Sequence, residues 1–356
     1  MASIVALRDA TDLAAFTGTF CSAPKALRPP ELAQLAPADA YWTRFIDPTD
    51  LGADAWIAAK GERCVGRVGA ALSPTRGGVG YVGFFENDLR EPDHETTARG
   101  LLDAACDWLR ERGATRAYGP IDRNTWYSYR YTTESVPGPD GHIEPPFAWE
   151  PLDSPAYLAA FRAAGFVDAE HYHSLAFRGP HGRTAVHASA EVAKPAYDLA
   201  LSHGVSFRPF ERPENLAKSF PMLFELASEG FRESFLFEPL SFDQFTRLYG
   251  PGLAQLDHAD FSYFAHDAAG TPVGFFVGYR DRGYLVFKTL MVRPDQRKKG
   301  TGAALMHLAL RAADARGIEH GISALVRRGN AGMDAIEARH PDASWRRNYV
   351  VLERTL

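Results

Sequence analysis

The sequence predicts an α/β chain made of two similar halves, each alternating strands with helices. Three observations predict it. First, "LLDAACDWLRERGATRAYGP" (101–120) and "LMHLALRAADARGIEHGISA" (305–324) share one construction: an amphipathic helix ending in Arg-Gly (Arg112-Gly113, Arg316-Gly317), then a short strand. Second, the same offset of 204 positions sets "YVGFFE" (81–86) against "LVFKTL" (285–290), both strands immediately upstream. Third, "AWIAAKGERCVGRVGAAL" (55–72) and "SYFAHDAAGTPVGFFVGY" (262–279) each read as an apolar strand, a Gly-containing turn and a strand opening with Val-Gly. Three matched segments in the same order indicate an internal duplication.

In the C-terminal half the elements follow in order. A strand at 205–210 precedes helices at 215–229 and 241–249. A hairpin over 260–280 leads to a strand at 284–292 and a helix at 301–316, where Leu305, Leu308, Ala309 and Ala312 keep helical spacing. A strand at 320–327, a helix at 330–339 and a strand at 345–355 complete it. The stretch "FRGPHGRTAVHASAEVAKP" (177–195) is polar and punctuated by Gly and Pro. The expected division is therefore a first domain over 1–178, a linker and connecting helix over 179–204, and a second domain over 205–356.

Bulk properties narrow the function. With 356 residues, 46% hydrophobic and 23% charged, the chain is long enough for two cored domains. A net charge of −5 argues against a nucleic-acid partner, so the basic patch of Arg293, Arg297, Lys298 and Lys299 suits a small anion. Cys21, Cys64 and Cys106 are odd in number and lack metal spacing, which reads as reduced thiols. Arg8, Asp9 and Asp12 interrupt the apolar core a signal peptide needs, and no stretch approaches the ~18 apolar residues of a membrane span. A cytoplasmic protein with no membrane partner, monomeric or homodimeric, is expected.

"VRPDQRKKGTGAALMHLAL" (292–310) carries the chemistry. A Walker loop needs Gly-Lys-Ser/Thr after its spacer, but here the lysines precede Gly300. A dinucleotide fingerprint needs a third glycine where Leu305 stands. "QRKKGTG" after Val292-Arg293-Pro294 instead resembles the R/Q-x-x-G-x-G/A loop of the GNAT superfamily of acyl-CoA-dependent N-acyltransferases. The physics fits the pattern. Pyrophosphate must approach backbone amides at a helix N-terminus, and a Cβ at 300 or 302 is expected to hold it off.

The resemblance implies two tandem domains, each a central, mostly antiparallel, twisted mixed sheet flanked by helices. It implies acetyl-CoA or another acyl-CoA as co-substrate and no metal. Its ligands would be Leu290, Met291 and Val292 along the strand, then Arg297, Lys298, Lys299, Gly300, Thr301, Gly302 and Ala303 on the loop. Asn330 stands where the family often has an Asn on the pantetheine arm. In the first half Thr96 and Ala98 face the glycine positions within "REPDHETTARG" (90–100), whose acids should repel phosphate. That half reads as degenerate for CoA.

The sequence departs from the family where proton transfer is done. The usual Glu early in the strand is Val286 here, and the usual Tyr seven residues after the Asn is Glu337. The loop "SEGFRESFLFEPLSF" (228–242) alternates aromatic and ionisable residues, which suits an acceptor pocket with a raised carboxyl. The catalytic candidates are Tyr284 and Glu238; Phe231, Glu233, Phe235 and Lys288 are substrate candidates. His171 and His173 alternate along "EHYHS" without enough further ligands for a metal. The expected activity is transfer of an acyl group, acetyl in the first instance, to a small-molecule amine by direct attack. The alternatives are an acyltransferase or decarboxylase fed by an acyl carrier protein, or a non-catalytic CoA-binding protein.

Overall fold

The computed structural model describes residues 2–28, 33, 52–138, 141, 145–151, 153–177, 185–337 and 343–356. The chain forms two compact units. The first comprises Met1–Glu134, Trp149–His171 and Asn348–Leu356; the second comprises Ser135–Ala148 and Tyr172–Arg347.

In the first unit, β1 (Ser3–Ala6), β2 (Ala53–Lys60), β3 (Arg63–Leu72) and β4 (Val79–Asn87) pair antiparallel in sequence order. β5 (Arg116–Gly119) lies parallel to β4. Alternation along β2 sets the layers. Ala55 and Ile57 pack with Phe16 and Phe20 of α1 (Leu13–Leu27), while Trp56 and Ala58 pack with Leu101, Leu102 and Leu109 of α2 (His94–Glu111). Helix α1 starts where the Asp12 carboxylate accepts from the Ala15 N–H at 2.9 Å. β6 (Tyr131–Val136) and α3 (Pro155–Ala163) follow, with Tyr157 and Phe161 in the core.

In the second unit the sheet order is β7 (Val167–Phe177), β12 (His320–Arg327), β11 (Tyr284–Val292), β10 (Pro272–Asp281), β9 (Tyr263–His266), β8 (Ser206–Pro209). Among the described residues of this unit only the β11–β12 pair is parallel. One face carries α4 (Ala185–Ser202) and α7 (Thr301–Asp314), packed on Leu285 and Phe287. The other face buries Tyr284 and Val286 with Phe147, Tyr279 and Trp345. Helices α5 (Phe220–Gly230), α6 (Phe242–Gln255) and α8 (Ala331–Glu337) and strand β13 (Ala343–Thr355) complete the elements.

The mixed α/β fold is as expected, with two differences. Residues 213–218 form a 3-10 turn before α5. Helix α6 runs six residues past its expected end at 249, launched by a capping box between Ser241 and Gln244 and continuing through Pro251.

The unit boundaries also differ from contiguous halves. From Tyr172 onward, β7 pairs with β12 and belongs to the second unit. The described part of the expected connecting helix, α4, is core there through Ala185, Val186, Ala190 and Ala200; residues 178–184 lie outside the described residues. The end of β13 pairs with β5, Leu352 opposite Gly119, inside the first unit. Tyr349, Val350, Val351 and Leu352 are all buried, an apolar run that needs cover on both faces.

Candidate active site

The parallel pairing of β11 with β12 runs from Tyr284–His320 to Phe287–Ser323 and then stops. Beyond it β12 stays with β7 and β11 with β10. Both strands break register as they part. β11 inserts Lys288 against β10, and β12 bulges between Ser323 and Val326, with Leu325 held at φ +57° and its N–H donating to Ser174 Oγ at 2.9 Å. Residues 288–292 therefore have a strand neighbour on one side only, among the described residues. Leu290, Met291 and Val292 lie on that half-paired edge.

The edge runs into the loop. Lys298 and Gly300 both take left-handed backbone, at φ +69° and +82°, and Gly300 is the N-cap of α7. A Cβ on Gly300 would stand 2.3 Å from the Ala196 carbonyl oxygen of α4, so glycine is required for packing as well as handedness. At Gly302 a Cβ would meet only the Leu290 and Val292 methyls at 3.6 Å, an ordinary contact, so packing within the protein does not require glycine there. The first helical bond is Ala304 N–H to Gly300 C=O at 2.9 Å, which leaves the amides of Thr301, Gly302 and Ala303 without intrahelical acceptors. No acid stands in the first turn of α7.

The basic side chains divide. Arg293 is taken by Glu225 and Glu229 of α5, each at 2.9 Å, and so is withdrawn from the patch. Arg297 donates to the Val292 carbonyl at 3.2 Å, and Lys299 to Gln296 at 3.1 Å. Lys298 is exposed and has no partner among the described residues. The Thr301 hydroxyl is buried without a hydrogen-bond partner among them. Asn330 is exposed, and its Oδ1 accepts from Met333 N–H at 3.3 Å, capping α8.

The two catalytic candidates fare differently. Tyr284 is 6% exposed, packed among Phe147, Tyr279 and Trp345, with its ring 5.6 Å from that of His320. It lies three residues before the strands part, about 10 Å along the strand. Tyr284 is therefore a core residue away from the split. Glu238 is 1% exposed in the loop after α5. In that loop Phe231 ends α5 half-buried and Glu233 is exposed. Phe235 lies 5.9 Å beneath the Arg327 guanidinium, at the end of β12. Lys288, half-buried, forms the bulge at the split.

At the point of parting stands a cluster that the sequence did not suggest. Ser323 Oγ donates to Glu337 Oε1 at 2.9 Å, and His173 Nε2 shares a hydrogen bond with Glu337 Oε2 at 2.7 Å. His173 and Ser323 are buried. His173 comes from a strand 164 positions away from Glu337, so no local spacing joins them. The one readable signal was Glu337 itself, standing where the family has a proton donor. Among the described residues, no group of three or more His, Cys, Asp or Glu side chains is placed to hold a metal ion.

The matching place in the first unit is filled by its own chain. The β4–β5 pairing ends at Tyr81–Tyr118. Just past it, Ile121 N–H donates to Val82 C=O at 2.8 Å and Phe84 N–H donates to Asp122 Oδ1 at 2.5 Å. A Cβ on Gly83 would come within 2.3 Å of the Ile121 carbonyl oxygen. Burial pushes the Asp122 carboxyl up to about 6, against the pull of the Phe84 amide and Arg67. Asp88, Glu91 and Asp93 of the acidic loop are clamped by Lys60, Arg63 and Arg90. α2 begins at His94 and buries Thr97 and Ala98, so its opening turn is not a free cradle. The bulge of β4 falls at Phe84 and Phe85 and that of β11 at Lys288; Phe84 and Lys288 are 204 positions apart, the offset of the sequence repeat.

The sequence profile of the acetyltransferase (GNAT) family matches residues 220–336. No curated protein matches the chain in sequence. Among solved structures, the tandem GNAT protein of the clavulanic acid biosynthesis pathway is similar at TM-score 0.55 and 14% identity, covering 100% of this chain and 98% of that one. A GCN5-related N-acetyltransferase from Anabaena variabilis is similar at TM-score 0.55 and 10% identity, covering 99% and 73%. A GCN5-related N-acetyltransferase from Kribbella flavida is similar at 0.51 and 14%, covering 100% and 71%. At such identities the likeness is one of fold. Residues 220–336 thus match the acetyltransferase (GNAT) family in sequence, both units share one split-strand plan, and the fold is similar to that of a tandem GNAT protein.

Proposed function

We propose that the second unit is an N-acyltransferase that takes its acyl group from acyl-CoA, acetyl-CoA in the first instance, and passes it to a small-molecule amine. The observation that carries this reading is the half-paired edge of residues 288–292 leading into free amides at the start of α7. The amides of Thr301, Gly302 and Ala303, with the dipole of a 14-residue helix behind them, hold pyrophosphate. Lys298 adds charge. Leu290 to Val292 accept the amide-bearing pantetheine arm as an added strand. Acyl-CoA supplies a thioester already activated for attack by nitrogen. The Lys288 bulge turns a backbone amide to where that carbonyl oxygen develops charge. Phe231, Phe235 and Glu238 line the acceptor side. The first unit takes no CoA, because residues 120–122 occupy its split and its loop acids are already paired.

Calorimetric titration with acetyl-CoA tests the reading, on the wild type and Gly302→Asp. An aspartate at the second helical position suits the helix dipole, so the variant keeps its fold while placing a carboxylate in the cradle. The expected result is one molecule bound per chain and loss of binding in the variant. No binding to folded wild type would transfer the reading to a carrier-protein donor. Two molecules per chain would overturn the assignment of the first unit.

A further inference from the structure

We propose that His173, oriented by Glu337, shuttles the proton of the transfer reaction from the attacking nitrogen to the departing sulfur. This rests on the acyl-CoA reading above and adds to it a residue that neither the sequence nor the family match assigns.

Position comes first. Ser323 is the last residue of β12 paired with β11, so it marks where the strands part. Phe287, Ser323 and Leu175 sit opposite one another across three adjacent strands, and Phe287 and Leu175 pack on the face that carries α7. β7 is regular between Leu175 and His173, the extra residue of the bulge being on β12, so His173 shares that face. It is the face from which the start of α7 presents its free amides. Two hydrogen bonds, of 2.9 and 2.7 Å, connect Ser323 through Glu337 to His173.

Chemistry comes second. Ser323 takes one oxygen of Glu337 and His173 the other, which fixes the carboxylate plane. The carboxylate in turn fixes the imidazole tautomer, with Nε2 protonated toward Glu337 and Nδ1 left as the base. Nδ1 has no hydrogen-bond partner among the described residues. A carboxylate on one ring nitrogen and an open second nitrogen is the arrangement that lets an imidazole accept a proton and return it. The balance closes on a neutral amine. Its nitrogen bonds the acyl carbon and gives one proton to His173 Nδ1. As the carbon–sulfur bond breaks, the imidazolium returns that proton to sulfur, leaving amide, free thiol and neutral His173. Leu325, held left-handed at φ +57° beside Ser174, keeps the β12 bulge that aims this part of the strand.

Other charged or titratable groups on the surrounding elements include Lys288 on β11, His320 and Arg327 on β12, Arg346 and Arg347 on β13, Asp334 on α8, and Asp168, Glu170 and His171 on β7. Arg347 bonds Ser135 and Arg327 overlies Phe235. Among the described residues only Glu337 pairs with the His173 ring.

The experiment measures acetyl-CoA binding by calorimetry, and thiol release over a panel of small primary amines from pH 5.5 to 9. The proteins are the wild type, His173→Gln, His173→Ala, Glu337→Gln and the control His171→Gln. Variants should bind acetyl-CoA within about twofold of wild type. His173→Gln should lose about 100-fold or more in kcat with little change in KM, along with the acidic limb of its pH–rate profile. Added imidazole should restore part of the His173→Ala rate. Glu337→Gln keeps both hydrogen bonds in amide form and should shift the limb to lower pH, because the imidazolium loses its counter-charge. Full turnover by either His173 variant, or an unchanged limb in Glu337→Gln, overturns the shuttle while leaving the acyl-CoA reading intact. If His173→Gln unfolds, Glu337→Gln and imidazole rescue decide alone. Failure of the wild type to bind acetyl-CoA sinks the underlying reading instead.

Discussion

At Gly300 two constraints meet in one residue: a left-handed backbone and the Ala196 carbonyl where a side chain would begin. Gly300→Ala should cost at least about 1–2 kcal/mol from handedness alone and more from the collision with α4. A lowered melting temperature together with lost CoA binding would bear this out; wild-type stability would refute it. Gly302→Ala, whose Cβ would make only ordinary contacts with Leu290 and Val292, should leave stability within about 1 kcal/mol. Asp122 carries a pH effect. Its folded carboxyl sits near 6, above its ordinary value of 3.8, because burial disfavours the charge. The folded state therefore holds the proton more tightly. The stabilising contribution is complete below about pH 4 and is lost as pH rises through 6. A shift of roughly two units is worth ~3 kcal/mol at most. Asp122→Asn should flatten the fall in first-unit stability between about pH 4 and 6, read by thermal unfolding. An unchanged slope would show that another group carries it.

At the scale of elements, the sequence was most legible where one periodicity governs one stretch. β11 runs from 284 to 292 and β12 from 320 to 327, as predicted, because apolar runs bounded by turn residues fix both ends. The basic loop and its helix start were legible for the same reason: glycine, charge and periodicity lie within a dozen residues. What could not be read is direction across strands. Tyr284 was a candidate for proton transfer, and strand pairing sets it on the closed part of the sheet. The His173–Glu337 pair needed the β7–β12 register, which no local pattern encodes. Helix α6 outran its expected end because Pro251 is tolerated within it, the capping box having fixed the start. Removing that start with Ser241→Ala should cost about 1 kcal/mol, seen as a fall in melting temperature with CoA binding unchanged. A much larger loss would mean that α6 is nucleated by its cap and not by packing of Phe245 and Leu253.

At the scale of the whole molecule, duplication was legible and partition was not. An internal repeat suggests a cut near residue 178, yet the two sheets draw on strands from across that cut. A fragment of residues 205–356 lacks β7 and α4, and with them Leu175, Phe177, Val186 and Ala190 of the second core. It should fail to give a cooperative unfolding transition. A fragment of residues 172–347 retains that core and should do better. If the shorter fragment folds and binds acetyl-CoA, the exchanged strand is dispensable.

The return of the final strand also orders the protein's birth. The ribosome makes residues 1–134 first, yet β5 keeps a vacant edge until Leu352 to Thr355 have been made, after every residue of the second unit. Domains usually mature in the order of their synthesis. Here the half begun first is finished last, so a chain truncated before residue 348 would hold every residue of the second unit beside an unclosed first sheet.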